Sequence, residues 1–127
     1  MFIRHLLFVL ALAMFGLGGS AMADGDAALG EKVFRKCKAC HTLENGGKHK
    51  IGPNLHGLIG RISGTAKGYK YSKAMKAAGI VWTEANLAAY LAGPKTFVPG
   101  NKMPFPGLKK AEDRANVIAY LKSMADE

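Results

Sequence analysis

The chain has no third cysteine. Cys37 and Cys40 stand alone, which excludes a multi-disulfide scaffold and leaves any four-ligand zinc site short of its second pair. Acidic residues are scarce: nine against 18 Lys and Arg, a formal net charge of +9 over 127 residues. No stretch alternates apolar and polar residues over more than four positions, so nothing predicts a sheet. There is no internal repeat and no low-complexity tract, and the length admits one domain but not two. The one extended apolar run, Leu6 to Leu17, is about twelve residues long, short of the ~20 that cross a membrane.

That run sits in a leader pattern. Met1-Phe2-Ile3-Arg4 supplies a positive start and Ala21-Met22-Ala23 a small-x-small site, which predicts a signal peptide over residues 1–23, cleaved after Ala23. Glycine and serine extend the run, so an uncleaved N-terminal membrane anchor is the alternative. Cleavage leaves residues 24–127 as the single domain and removes one charge, Arg4; 17 basic residues then face nine acidic ones, a balance of +8. A domain of this size buries only ~60–70% of its chain surface and is usually helped by a cofactor or a crosslink.

What the chain does have is Cys37-Lys38-Ala39-Cys40-His41. Two cysteines three positions apart, with a histidine directly after the second, form the spacing that attaches a c-type haem. The two thiols add to the two vinyl groups of the porphyrin, and the adjacent imidazole of His41 is left beneath the iron as its proximal ligand. The competing readings are a thioredoxin-type motif, a zinc site and a short disulfide. The first wants a βαβ pattern around the pair, and none is present; the second would have to recruit His49 and His56. One covalently held haem c, through Cys37 and Cys40, is the expected cofactor. Attachment of this kind takes place outside the bacterial cytoplasm, in agreement with the leader.

The fold class expected is all-α. Leu29 to Cys37 reads as a helix with Leu29, Val33, Phe34 and Cys37 on one face. Gly30 inside it is unfavourable unless something packs against its bare backbone. Glu112 to Ala125 offers the partner: Val117, Ile118, Leu121 and Met124 recur at helical spacing, and Glu112 and Asp113 sit in the first turn, where the dipole favours them. The pattern predicts that these two helices cross at Gly30. Between them, Ser72 caps a helix to Ala78 that Gly79 terminates, and Thr83 opens another through Leu91 that Gly93-Pro94 ends. The glycine- and proline-rich segments 45–61 and 95–109 are long for a compact domain unless they wrap something, and a haem is something to wrap.

Iron in a ring has two axial positions. Of the three methionines beyond the leader, Met124 continues the apolar stripe of the last helix and Met75 falls on a short helix. Met103 sits in Pro99-Gly100-Asn101-Lys102-Met103-Pro104-Phe105-Pro106-Gly107, where three prolines lower the cost of holding a thioether at one point in space. Met103 is the expected sixth ligand; His49 and His56 are the rivals that would make a bis-histidine site. The choice matters, because a Met/His pair raises the reduction potential.

From Cys37-Lys38-Ala39-Cys40-His41-Thr42 through Gly52-Pro53-Asn54-Leu55-His56-Gly57-Leu58 to Gly60-Arg61, the chain resembles the class I c-type cytochromes, mitochondrial cytochrome c and its soluble bacterial counterparts among them. The likeness continues through Tyr69-Lys70-Tyr71-Ser72, Gly79-Ile80-Val81-Trp82, Tyr90-Leu91, Pro99-Gly100-Asn101-Lys102-Met103 and Ile118-Ala119-Tyr120-Leu121. The resemblance implies the small cytochrome c fold and a set of roles. Pro53 would accept the other ring N–H of His41. Tyr71 and Trp82 would hydrogen-bond a haem propionate, and Arg61 would help neutralise it. Tyr90 would lie close to the Met103 sulfur, and Phe105 would shield the haem from water. Two positions depart from the family: Asn101 stands where a threonine is frequent, its amide still able to donate to a propionate, and Met75 stands where mitochondrial forms carry an asparagine.

The resemblance implies a soluble periplasmic monomer that carries one electron between a quinol-oxidising cytochrome complex and a terminal oxidase or photosynthetic reaction centre, and that is not an enzyme. An open sixth position would instead make a haem peroxidase or ligand-binding sensor, and a zinc or dithiol module would hold no haem. The positive charge fits the carrier. Lys36, Lys38, Lys50, Lys95, Lys102, Lys109 and Lys110 all fall near the haem-bearing motifs, which suggests a ring for acidic partner surfaces on membrane redox complexes. Contact with the membrane surface would be transient, and an exported protein meets little nucleic acid.

Overall fold

The structure, a computed structural model, describes residues 24–126; the expected leader lies outside the described residues. Five helices carry the fold: α1 (Ala27–Phe34), α2 (Lys73–Ala77), α3 (Glu84–Ala92), α4 (Pro94–Phe97) and α5 (Ala111–Ala125). No strand forms among the described residues, whose one β-type pairing is an isolated antiparallel bridge between Ile62 and Val81. No helix of the described residues is long and apolar enough to cross a membrane.

Helices α1 and α5 meet where Gly30 predicts. A Cβ on Gly30 would lie 1.9 Å from the Asn116 carbonyl oxygen and 2.8 Å from Cβ of Tyr120, so only a bare backbone lets α1 and α5 approach this closely. The same Asn116 is buried, and its side-chain oxygen accepts the N–H of Asp26 at 2.8 Å. Asp26 in turn caps α1 by accepting from the N–H of Leu29. Phe34 and Tyr120 then pack across the crossing with tilted rings, centroids 5.5 Å apart. Val117, Ile118 and Leu121 of α5 join Phe34, Trp82, Leu87, Tyr90, Leu91 and Val98 in one core.

The middle helices obey their local signals. Ser72 accepts from the N–H of Met75 and Thr83 from that of Asn86, each capping the helix it opens, and Gly79 takes the left-handed conformation after α2. Three expectations need correction. The first helix ends at Phe34 and not at Cys37, because the amides of Arg35, Lys36 and Cys37 bond carbonyls three residues back and tighten the chain into turns. Leu29 is 46% exposed, since Gly30 and Phe34, four apart, take the face against α5 and turn Leu29 aside. Pro94 does not merely end α3: its missing N–H suits a first helical position, and it opens α4.

Replacing Gly30 by alanine should therefore push α1 off α5 and cost about 3 kcal/mol of stability, the upper range for overpacking a tight contact. Denaturant unfolding of the haem-loaded protein measures this. A midpoint equal to that of the wild type would overturn the crossing as described.

Candidate haem site

Beyond α1 the backbone continues in hydrogen-bonded turns. The N–H groups of Cys40 and His41 both reach the carbonyl of Cys37, at 3.1 and 2.9 Å, and this winding brings Cys37, Cys40 and His41 to the wall of one cavity. The cavity is ≈ 270 Å³, largely apolar, and is walled by Phe34, Leu55, Leu58, Leu87, Leu91, Val117 and Leu121 from the core and loops. Met75, Tyr90, Met103 and Phe105 also line it.

His41 is held rigidly. A carbonyl can only accept, so the 2.7 Å contact with Pro53 makes Nδ1 the protonated nitrogen and leaves the Nε2 lone pair free for a metal. Burial lowers the pKa of the ring, opposed by the Pro53 bond, which favours the neutral imidazole that a ligand must be. Gly52 completes the seat: a Cβ there would lie 2.3 Å from Cε1 of the His41 ring. Sequence reasoning missed Gly52, although a glycine directly before Pro53 was the available signal.

Met103 is the other axial candidate, and Tyr90 donates to its sulfur at 3.4 Å. Burial pushes the Tyr90 hydroxyl up to about 12, so it stays a donor at any physiological pH. Neither histidine rival lines the cavity. His49 donates from Nε2 to the Lys67 carbonyl at 2.7 Å and accepts at Nδ1 from the N–H of Asn54, so both ring nitrogens are engaged in tying two loops together. His56 keeps its Nδ1 buried and unpartnered, away from the cavity. Among the described residues, no three His, Cys, Asp or Glu side chains gather where they could hold a metal ion such as zinc. Cys37 also argues against a dithiol redox motif, because burial and the neighbouring Cys40 push its thiol up to about 11, whereas such motifs need a depressed value.

The donor set therefore fits a haem c: two thiols, a neutral imidazole and a thioether on one apolar cavity. The groups expected at the propionates divide. Arg61 lines the cavity and donates to the carbonyls of His56 and Asn54 at 3.3 and 3.4 Å, with further N–H groups to spare. Trp82 is 5% exposed, packs on Tyr90, and its indole N–H has no partner among the described residues. Tyr71 accepts at its hydroxyl oxygen from the N–H of Ala66, which leaves its own hydrogen to donate. Asn101 is corrected: its amide donates to the carbonyls of Pro94 and Val98, so neither hydrogen remains for a propionate. Tyr69 was not foreseen; it lines the cavity, donates to the Ile51 carbonyl at 2.6 Å and meets Tyr71 edge-on.

All seven ring lysines are exposed. Lys102 differs from the rest, because its ammonium bonds the Lys70 carbonyl and lies over the Tyr69 ring, 5.0 Å from the centroid, which makes it a tether of the Met103 loop. Lys50 donates to the Lys38 carbonyl at 2.7 Å. None of the seven has an acidic partner among the described residues, whose one ion pair is Lys122–Glu84.

Comparison with known proteins agrees with this geometry. The family model described as Cytochrome c matches residues 27–125. Cytochrome c of Chlamydomonas reinhardtii is 61% identical over 99 residues, 77% of this chain and 88% of that protein. Cytochrome c-554 of Methylosinus trichosporium is 48% identical over 119 residues, 94% of this chain and 90% of that protein. The solved structure of cytochrome cH from Methylobacterium extorquens superposes with a TM-score of 0.73 at 48% identity, covering 78% of this chain and 99% of that one. With the haem-attachment spacing, the helix crossing and these relatives in agreement, the chain belongs to the cytochrome c family.

Proposed function

We propose that this haem c electron carrier is exported, works in the periplasm as a soluble monomer, and shuttles one electron between a quinol-oxidising cytochrome complex and a terminal oxidase or photosynthetic reaction centre. One observation carries the reading: His41 and Met103 line the same cavity as both thiols, so protein side chains are available for both axial positions. When bound, the haem supplies a reversible one-electron couple at its iron.

The chain's residues do the rest. Cys37 and Cys40 would hold the ring by thioethers, and His41 and Met103 would close the iron to substrate, which suits a carrier and not an enzyme. The Pro53 carbonyl fixes the His41 tautomer and raises its basicity. Tyr90 draws electron density from the Met103 sulfur, which together with the weakly donating thioether favours the reduced state. Arg61, Tyr71 and Trp82 meet the propionates, and Phe105 keeps water from the thioether side. Asn101 acts on the Met103 loop instead of on a propionate. Lys36, Lys38, Lys50, Lys95, Lys109 and Lys110, with Lys102 as a partly engaged seventh, steer acidic surfaces of membrane complexes toward the haem edge. Contact with the membrane is transient, and nucleic acid is not a partner.

An optical spectrum of the oxidised protein tests the ligation. The weak far-red sulfur-to-iron band should be present, and Met103→Ala should abolish it and admit carbon monoxide to the reduced protein. Absence of the band in wild type would favour a peroxidase or sensor.

Electron transfer to an acidic partner should slow steeply as salt rises, since the lysines act over a Debye length of ~10 Å at 0.1 M. A flat salt profile would remove the docking ring.

Mass spectrometry of the mature protein should begin at Asp24; an intact Met1 would favour the uncleaved anchor.

A further inference from the structure

The side chain of Asn101 bonds only to backbone. Its Nδ2 donates to the Pro94 carbonyl at 2.8 Å and to the Val98 carbonyl at 2.9 Å, and its Oδ1 accepts the N–H of Met103 at 2.8 Å. The partners fix which end of the amide is which, because two carbonyls can only accept and an N–H can only donate. Pro94 and Val98 are both buried, Val98 at 4% exposed, and they open and close the single-turn helix α4. One side chain thus joins the buried end of α4 to the amide of the residue whose thioether lines the cavity.

We propose that Asn101 is a positioning residue for the sixth ligand: its amide clamps the Met103 backbone to α4 and so sets where the sulfur stands. The inference rests on the reading of Met103 as the axial ligand. Prolines at 99, 104 and 106 stiffen the loop, but stiffness restricts shape without fixing position; an anchor is required as well. The chemistry demands an amide. A carboxylate would face the Pro94 and Val98 carbonyls with no proton to give, and a hydroxyl would bring one donor where the site uses two donors and an acceptor. Met103 therefore depends on a contact that involves neither its own side chain nor the haem.

Imidazole competition on the oxidised, haem-loaded protein tests this, because added imidazole binds only where the thioether has let go. Its apparent affinity scales with the detached fraction. In Asn101→Ala that affinity should rise about ten-fold, the equivalent of one or two net hydrogen bonds. Asn101→Asp, which keeps the acceptor for Met103 but loses both donors, should rise at least as far. Denaturant midpoints taken alongside separate the clamp from plain loss of stability, which would lower the midpoint and leave imidazole affinity where it was. Hydrogen exchange on the wild type guards against variants that fail to take haem: the Met103 amide should exchange more slowly than that of Lys102, whose N–H has no partner among the described residues. An Asn101→Ala affinity within about two-fold of wild type, or a Met103 amide exchanging as fast as that of Lys102, overturns the clamp while ligation stands. A wild type lacking the far-red band overturns the ligation reading and the clamp with it.

Discussion

The bare backbone of Gly30 against Asn116 is the contact on which the rest depends. It joins α1 to α5, and the turns that leave α1 deliver Cys37, Cys40 and His41 within eleven residues of it. Phe34, Val117 and Leu121 belong both to the crossing helices and to the cavity wall. The helix interface and the haem pocket are thus one surface, and any change in the crossing reaches the thiols directly. A chain of this size cannot bury enough apolar area to order long loops without such closure.

The two side chains proposed as axial ligands are supported by different physics. His41 has a strong, short bond from a ring N–H to a carbonyl and a glycine seat that a methyl group would fill. Its orientation is over-determined. Met103 receives a weak hydroxyl-to-sulfur bond at 3.4 Å, and its backbone is held through Asn101. A thioether is a weak acceptor with little charge to attract partners, so its place is set largely from the main chain. As the proposed ligand pair, the rigid imidazole and the externally held thioether would be a strong and a weak donor, the combination that raises a haem potential.

Local chemistry was legible, and close three-dimensional approach was legible only where a glycine flagged it. The caps Ser72 and Thr83, the terminator Gly79, and the attachment spacing each depend on a few neighbouring residues, so they read straight from the chain. Gly30 pointed to its crossing because a mid-helix glycine needs a reason. Leu29 misled, because hydrophobicity alone places it inward while the register set by Gly30 and Phe34 turns it out. Asn101 misled for another reason: family likeness assigned its amide to the cofactor, and the path of residues 94–98 brings two carbonyls to it first. Lys102 shows the same limit, since a lysine counted as free charge is engaged by Tyr69 and the Lys70 carbonyl.

Three titratable groups of the cavity are pushed toward their neutral forms. Burial raises the Cys37 thiol and the Tyr90 hydroxyl and lowers the His41 imidazole. The Arg61 guanidinium finds only two carbonyls, at 3.3 and 3.4 Å, among the described residues. A cation in that position is incompletely satisfied by dipoles, and a carboxylate is its natural complement. The lysines are exposed, yet two of them reach inward: Lys50 adds to the lowering of the His41 ring, and Lys36 opposes the rise of the Cys37 thiol. On the proposed reading the same charges would also act on encounter with partners, over nanometres and under salt screening. Recognition and redox poise would then be linked in this chain, because charges placed to meet a partner also bear on groups of the cavity.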